Sequence, residues 1–155
     1  MLAFSTKGRY GIKAMYELAL HYEDRPVSIR SISERHLIPM PYLEQILLNL
    51  KRGKLVKSTR GPRGGYVLAR SPDAISLGDI IRALEGPIAL CDCLSSPFDP
   101  ENLRRMEGCV MALLWKELGR RIEGFLDSFK LSDLIDTFSR GEKSVAQGSA
   151  EEGKV

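Results

Sequence analysis

Only three cysteines and two histidines occur in the 155 residues. An odd number of thiols argues against a framework of structural disulfides. The histidines, at positions 21 and 36, lie far in sequence from Cys91, Cys93 and Cys109. No C-x-x-C motif and no constellation of nucleophile and base stands out, which disfavours a thiol enzyme or metal carrier; the chain reads as a non-enzyme. Long apolar runs are missing too, and the segment MLAFSTKGRY has no apolar signal core, so the expected location is cytoplasmic and no membrane partner is expected. Internal repeats are absent.

A hydrophobic content of 43% and a charged content of 28% are ordinary for a globular chain with a real core. The net charge of +3 hides an uneven distribution. Residues 1–70 carry 13 Lys+Arg and 5 Asp+Glu, a net of +8; residues 71–155 carry 10 and 15, a net of −5. A basic front half points to a polyanion, and the acidic back half to a second task.

Helical spacing runs from Lys7 to Tyr22, with Ser5 or Thr6 as cap and Tyr10, Ala14, Met15, Leu18, Ala19 and Tyr22 on one face. Ser28 caps a short second helix, and His36 to Pro39 form a turn, in which His36 is a turn residue rather than a ligand or base. Pro41 suits the first position of a third helix, which turns Leu43, Ile46, Leu47 and Leu50 inward and Tyr42, Glu44, Gln45, Asn49 and Arg52 outward. Gly53 is expected to end that helix in a left-handed conformation. Leu55–Arg60 and Tyr66–Ala69 read as paired strands around the tip Gly61-Pro62-Arg63-Gly64-Gly65. Ser76 and Asp79 form a capping box for a helix through Leu84. Residues 88–108 show no periodicity and read as a loop. Cys109 to Phe129 is a long helix with an apolar stripe of Val110, Leu113, Leu114, Leu118, Ile122, Phe125, Leu126 and Phe129, and Ser132–Phe138 a last short one.

The expected fold class is therefore mainly α: a winged helix-turn-helix with a small two-stranded wing and a long C-terminal dimerisation helix. Its parts are a DNA-binding domain (1–70), a connecting helix (71–87), a cysteine loop (88–109), dimerisation helices (109–138) and a disordered tail (139–155). The front domain already has a core of its own, so the stripe of the long helix is expected to pair two subunits on two half-sites.

The outward face of the third helix is the candidate reader of bases. Gln45 can make a bidentate contact to adenine, and Tyr42 can reach a phosphate or a thymine methyl. Glu44 repels phosphate, so it belongs there only if it accepts a bond from a cytosine amino group or excludes unwanted sites. Between Lys51 and Arg63 there are six basic residues and no acid. Arg60 and Arg63 flank the thin wing tip, and an arginine on such a hairpin fits a narrow minor groove. The glycines precede a strand rather than opening a helix, unlike a phosphate-binding loop. Lys7, Arg9 and Lys13 on the first helix are phosphate contacts or a soluble face.

Cys91-Asp92-Cys93 and Cys109 form a second candidate site. Thiolates bind soft metals, and three together leave one position for another ligand. Iron–sulfur ligation, a thiol redox switch, zinc and three buried small residues are the readings. A pair in a loop beside Asp92 favours the first, although the spacing matches no standard zinc or ferredoxin pattern.

STKGRYGIKAM, SISERHLIPMPYLEQIL, KLVKSTRGPRGGY and LGDIIRALEGP together resemble the IscR/NsrR/CymR family of bacterial winged-helix regulators, over about residues 2–135. YLEQ followed by RGxxGGY is the most specific part. The resemblance implies a homodimer on a palindromic promoter; the expected DNA contacts are Lys7, Pro41, Tyr42, Glu44, Gln45, Arg60 and Arg63. It also implies a two-iron, two-sulfur (2Fe-2S) cluster held by Cys91, Cys93 and Cys109 that modulates promoter affinity. The chain departs from the family pattern in its tight cysteine pair and long gap, in Ala112 where a histidine is usual, and in Lys7 and Gly8 where some members have an acid. Asp92, Glu107, Glu44, His36 or a solvent species are the candidates for the fourth ligand. The alternative is a cluster-free regulator of the same fold, sensing through cysteine oxidation or a partner protein.

Overall fold

The computed structural model describes residues 4–88 and 110–140. Cys91, Cys93 and Cys109, with the expected loop around them, lie outside the described residues, as does the expected disordered tail beyond residue 140.

Helix α1 (Thr6–Leu20) begins at Ser5, whose hydroxyl oxygen accepts the Gly8 N–H at 3.1 Å. Ser28 caps α2 (Ile29–His36) in the same way through Ser31 N–H. Leu37 then turns the chain in a left-handed conformation (φ 54°), and Ser33 Oγ donates to the Ile38 carbonyl at 2.7 Å to close the turn. Helix α3 (Met40–Arg52) starts one residue earlier than expected: Pro39 is its cap, so Pro41 takes the second position. The correction is harmless, because the missing N–H still falls in the first turn, where no helical acceptor exists.

Gly53 corrects a second expectation. Its φ is −73°, and the left-handed residue is Lys54, at φ 58°. The reason for glycine is space: a Cβ there would fall 2.8 Å from that of Ala83. Gly53 thus serves the packing of α3 against α4 (Leu77–Glu85).

The wing is β1 (Val56–Thr59) paired antiparallel with β2 (Gly65–Leu68), in a register running from Val56↔Leu68 to Thr59↔Gly65. Val27 adds a bridge on the other side of β2, exchanging bonds of 3.0 and 2.8 Å with Tyr66. A Cβ on Gly65 would collide with the Val27 carbonyl, so this close approach depends on glycine.

After a short 3-10 turn (Pro72–Ala74), the expected capping box of α4 forms: Ser76 Oγ accepts from Asp79 N–H, and Asp79 Oδ2 accepts from Ser76 N–H. Partial burial raises the Asp79 carboxyl, but the backbone and hydroxyl of Ser76, then Arg70 and Arg82, more than offset it and hold it below its ordinary value.

One core closes the front of the molecule. Ala14 and Met15 of α1, Ile32 of α2, Leu43, Ile46, Leu47 and Leu50 of α3, and Ile75 and Ile80 near α4 are all at 0% exposure. Each such large side chain contributes roughly 1.5–3 kcal/mol by leaving water. Helix α5 (Val110–Ser128) and α6 (residues 131–140) follow. They dock through Leu77 N–H to the Phe129 carbonyl (2.8 Å), Leu131 N–H to the Ile75 carbonyl (2.9 Å), and Arg82 to Asp127 (2.6 Å). Leu131 enters the core; most of α5 does not.

Candidate nucleic-acid interface

Helix α3 presents its outer face because its inner face is consumed by the core. Pro41, Glu44 and Gln45 are exposed on consecutive turns. Tyr42 is half-buried, its ring edge-on to Tyr10 with centroids 5.7 Å apart. That contact fixes the start of α3 against α1, so Tyr42 is both a surface residue and a brace. Among the described residues Glu44 has no ion-pair partner, so its charge is not neutralised within the fold. Beside α3, Lys51, Arg52, Lys54, Lys57, Arg60 and Arg63 are all exposed, and Lys51 Nζ donates to Ser58 Oγ at 2.6 Å, tying helix end to wing.

Gly61 at the hairpin tip has φ 113°, a conformation open to glycine and costly for other residues. The two wing arginines do not share one environment. Arg63 lines a cleft toward α2, and Arg60 stands outside it. Lys7 is half-buried at the start of α1, while Arg9 and Lys13 are exposed, Lys13 lying 5.9 Å from the Tyr10 ring centre.

Sequence reasoning passed over Glu17, which is 1% exposed. Arg35 Nη1 donates to its Oε1 at 2.7 Å, His36 Nε2 lies 3.0 Å from its Oε2, and His21 Nε2 lies 3.4 Å from Oε1. A buried carboxylate is tolerated only with such partners. The signal was present: Glu17 falls on the same helical face as Tyr10 and Ala14, where an acid does not belong unless it is paired. His36 closes α2 as its last residue and faces inward onto Glu17. Its Nε2 is thus engaged within the fold by Glu17. Among the described residues no group of three His, Cys, Asp or Glu could hold a metal ion. Among them, too, no helix is long and apolar enough to cross a membrane.

Two short helices with a tight turn, followed by a basic wing, form a winged helix-turn-helix. A model of the Rrf2 family, described as an iron-dependent transcriptional regulator, matches residues 4–137. The chain belongs to the Rrf2 family. IscR of Erwinia tasmaniensis, named an HTH-type transcriptional regulator, is 37% identical over 135 residues, covering 87% of this chain and 79% of that protein. Among solved structures, CymR, the global cysteine regulator of B. subtilis, matches with a TM-score of 0.70 at 42% identity, over 88% of this chain and 98% of that one. IscR of T. potens matches with a TM-score of 0.70 at 43% identity, over 88% of each chain. The family resemblance and the mainly helical winged-helix fold expected from sequence are both borne out. This Rrf2 chain is an IscR-like transcription regulator, and DNA is its partner.

Proposed function

We propose that the chain acts in the cytoplasm as a homodimer on palindromic promoter DNA, with affinity set by a 2Fe-2S cluster on Cys91, Cys93 and Cys109. The observation that carries the DNA half is the exposed face of α3, with Tyr42, Glu44 and Gln45, standing beside an unneutralised basic wing. Gln45 reads a base in the major groove, Arg60 enters the minor groove, and Lys7 and Pro41 meet the backbone at the starts of α1 and α3. Glu44 limits which sites are accepted.

The dimer half rests on α5. Met111, Leu114, Leu118 and Phe125 recur at helical spacing with exposures of 46, 56, 37 and 64%. A second copy of the same stripe would cover them. Leu113, assigned to this stripe from sequence, lies roughly 140° around the helix from Leu118 and stands apart from it.

Three thiolates suit iron by the softness of sulfur. A bound cluster would supply a centre that responds to redox change or to iron supply. Cys109 directly precedes α5, and α5 is locked to α4 through Asp127 and Arg82, while α4 packs on both α1 and α3. A shift at the head of α5 would thus reach the spacing of the two α3 helices through rigid contacts. Asp92, Glu107, Glu44, His36 or a solvent species would supply the fourth position. Anaerobic purification with an absorption spectrum and an iron count tests the cluster; a colourless, iron-free protein after reconstitution rules it out.

The likeness to CymR, named as a cysteine regulator, supports a second reading. There the same fold works without a cluster, through cysteine oxidation or a protein partner. Mass spectrometry detecting a Cys109-linked disulfide in place of iron would favour it.

A further inference from the structure

An open cleft of about 690 Å3 lies between the wing tip, the α1–α2 connection and α2. Arg25, Arg35 and Arg63 converge on it from three separate segments, joined by His21, Ser28 and Ser31, and no acid is among its lining residues. Asp24 and Glu17 each meet one of the arginines, and both approach His21, at 3.6 and 3.4 Å. Asp24 Oδ2 is 3.9 Å from Arg25 Nε, at the limit of an ion pair between exposed groups, and Glu17 occupies only one nitrogen of Arg35. The remaining guanidinium donors of Arg35 stay available, and Arg63 has no ion-pair partner among the described residues.

Ser28 and Ser31 lie on the first turn of α2, whose N-terminal dipole favours an anion. Ser28 Oγ accepts the Ser31 N–H, which leaves the Ser28 hydroxyl proton as a further donor. The walls are fixed in advance. Val27 and Tyr66 exchange two backbone bonds, and Gly65 has no room for a side chain against the Val27 carbonyl. The wing root therefore cannot drift from α2. Three guanidinium groups, a hydroxyl donor and a helix start lining one space, with no acid among the lining residues, suit a phosphate group.

We propose that this cleft seats a phosphate of the DNA backbone, so that the two wing arginines divide the work: Arg63 clamps the backbone with Arg25 and Arg35, and Arg60 alone enters the minor groove. This rests on the DNA-binding reading above. The backbone is the source that fits, since the cleft is walled by the wing tip and by α2, the first helix of the helix-turn-helix, which in such folds crosses the DNA backbone.

Fluorescence anisotropy over a salt series tests it, using the duplex recovered by binding-site selection and a scrambled one. Arg25→Gln and Arg63→Gln should each lower the slope of log K against log salt by about 1, and weaken both duplexes by the same factor. Ser31→Asp is a second probe. An acid at the third position of α2 suits the helix dipole, so the fold stands, while the added charge should cost about tenfold in affinity for both duplexes. Unchanged slopes and affinities in all three variants, with Gln45→Ala still relaxing sequence choice, would overturn the cleft and leave the DNA reading intact. A wild-type protein with no preference between the duplexes would overturn both. If Arg63→Gln weakens only the selected duplex, Arg63 reads sequence and the division of work is wrong. Calorimetry with inorganic pyrophosphate separates the sources: variants that lose pyrophosphate binding but keep wild-type salt slopes would reassign the cleft to a free phosphorylated ligand.

Discussion

Helices α3 and α5 carry similar apolar stripes and meet opposite fates. In α3, Leu43, Ile46, Leu47 and Leu50 are all at 0% exposure, while in α5, Leu114 and Phe125 remain 56 and 64% exposed. The first helix is completed by its own chain; among the described residues, nothing covers these side chains of the second. A stripe with closed packing leaves the opposite face free for DNA. On the proposed reading, the stripe left open on α5 is where a second copy docks.

The same substitution in the two helices should give unequal results. Leu47→Ala removes a fully buried side chain and should lower unfolding stability by about 2–5 kcal/mol in urea melts. Leu118→Ala should cost less than that, and its cost should depend on protein concentration if a dimer forms. Equal, concentration-independent losses would break the contrast. The pair Leu114→Glu with Leu118→Glu should bring the mass in sedimentation from twice 17.3 kDa to 17.3 kDa, with α-helical circular dichroism kept. A chain that is already single in the wild type would refute the dimer.

On the outward face of α3, Gln45→Ala should remove about 1–3 kcal/mol of discrimination at one base pair without lowering stability, measured by competition between duplexes. Ser76→Ala, at the joint between the two regions, should cost about 1 kcal/mol by unmaking the cap. The pH dependence follows from Asp79. Its folded carboxyl is held below the ordinary value, so the stability it lends is present above the ordinary carboxylate range near 4 and lost as pH falls through the folded value. Urea melts at neutral pH and near pH 3 should therefore show a smaller acid loss in Ser76→Ala than in the wild type. Glu117 on α5 is lowered to about 2 by Arg120 and then Arg121, but both arginines are exposed and Glu117 is half-exposed, so its effect on the acid limb should be slight. The smallest effect is expected from Leu37→Gly. Leu37 is 85% exposed and left-handed, so glycine should relieve up to about 1 kcal/mol of strain.

Most of the front half was legible from residue patterns. Ser28, the Ser76–Asp79 box and the hairpin glycines act locally, within a few residues of what they control, so a linear reading finds them. Gly53 misled because two different causes select glycine. A left-handed turn is visible in sequence as a helix-end signal; contact with Ala83, thirty positions away, is not. Glu17 was overlooked for a similar reason. Its place on the apolar face of α1 marks it as an acid in need of a partner, but the partners Arg35 and His36 are on another helix and are not visible locally. Arg63 was grouped with Arg60 because they share a hairpin, whereas the fold turns Arg63 toward Arg25 and Arg35.

By itself, the sequence determined the helices and the caps of α1, α2 and α4, the basic wing, the uneven charge and the family, because periodicity, capping and motif spacing are properties of neighbours along the chain. Only the tertiary structure decided which glycine serves packing, which acid is buried, where the arginines converge and which apolar stripe stays uncovered. Those depend on the contacts among α1, α2, α3 and α4 and on the docking of α5, where residues far apart in sequence come within bonding distance and burial sets what each charge can do.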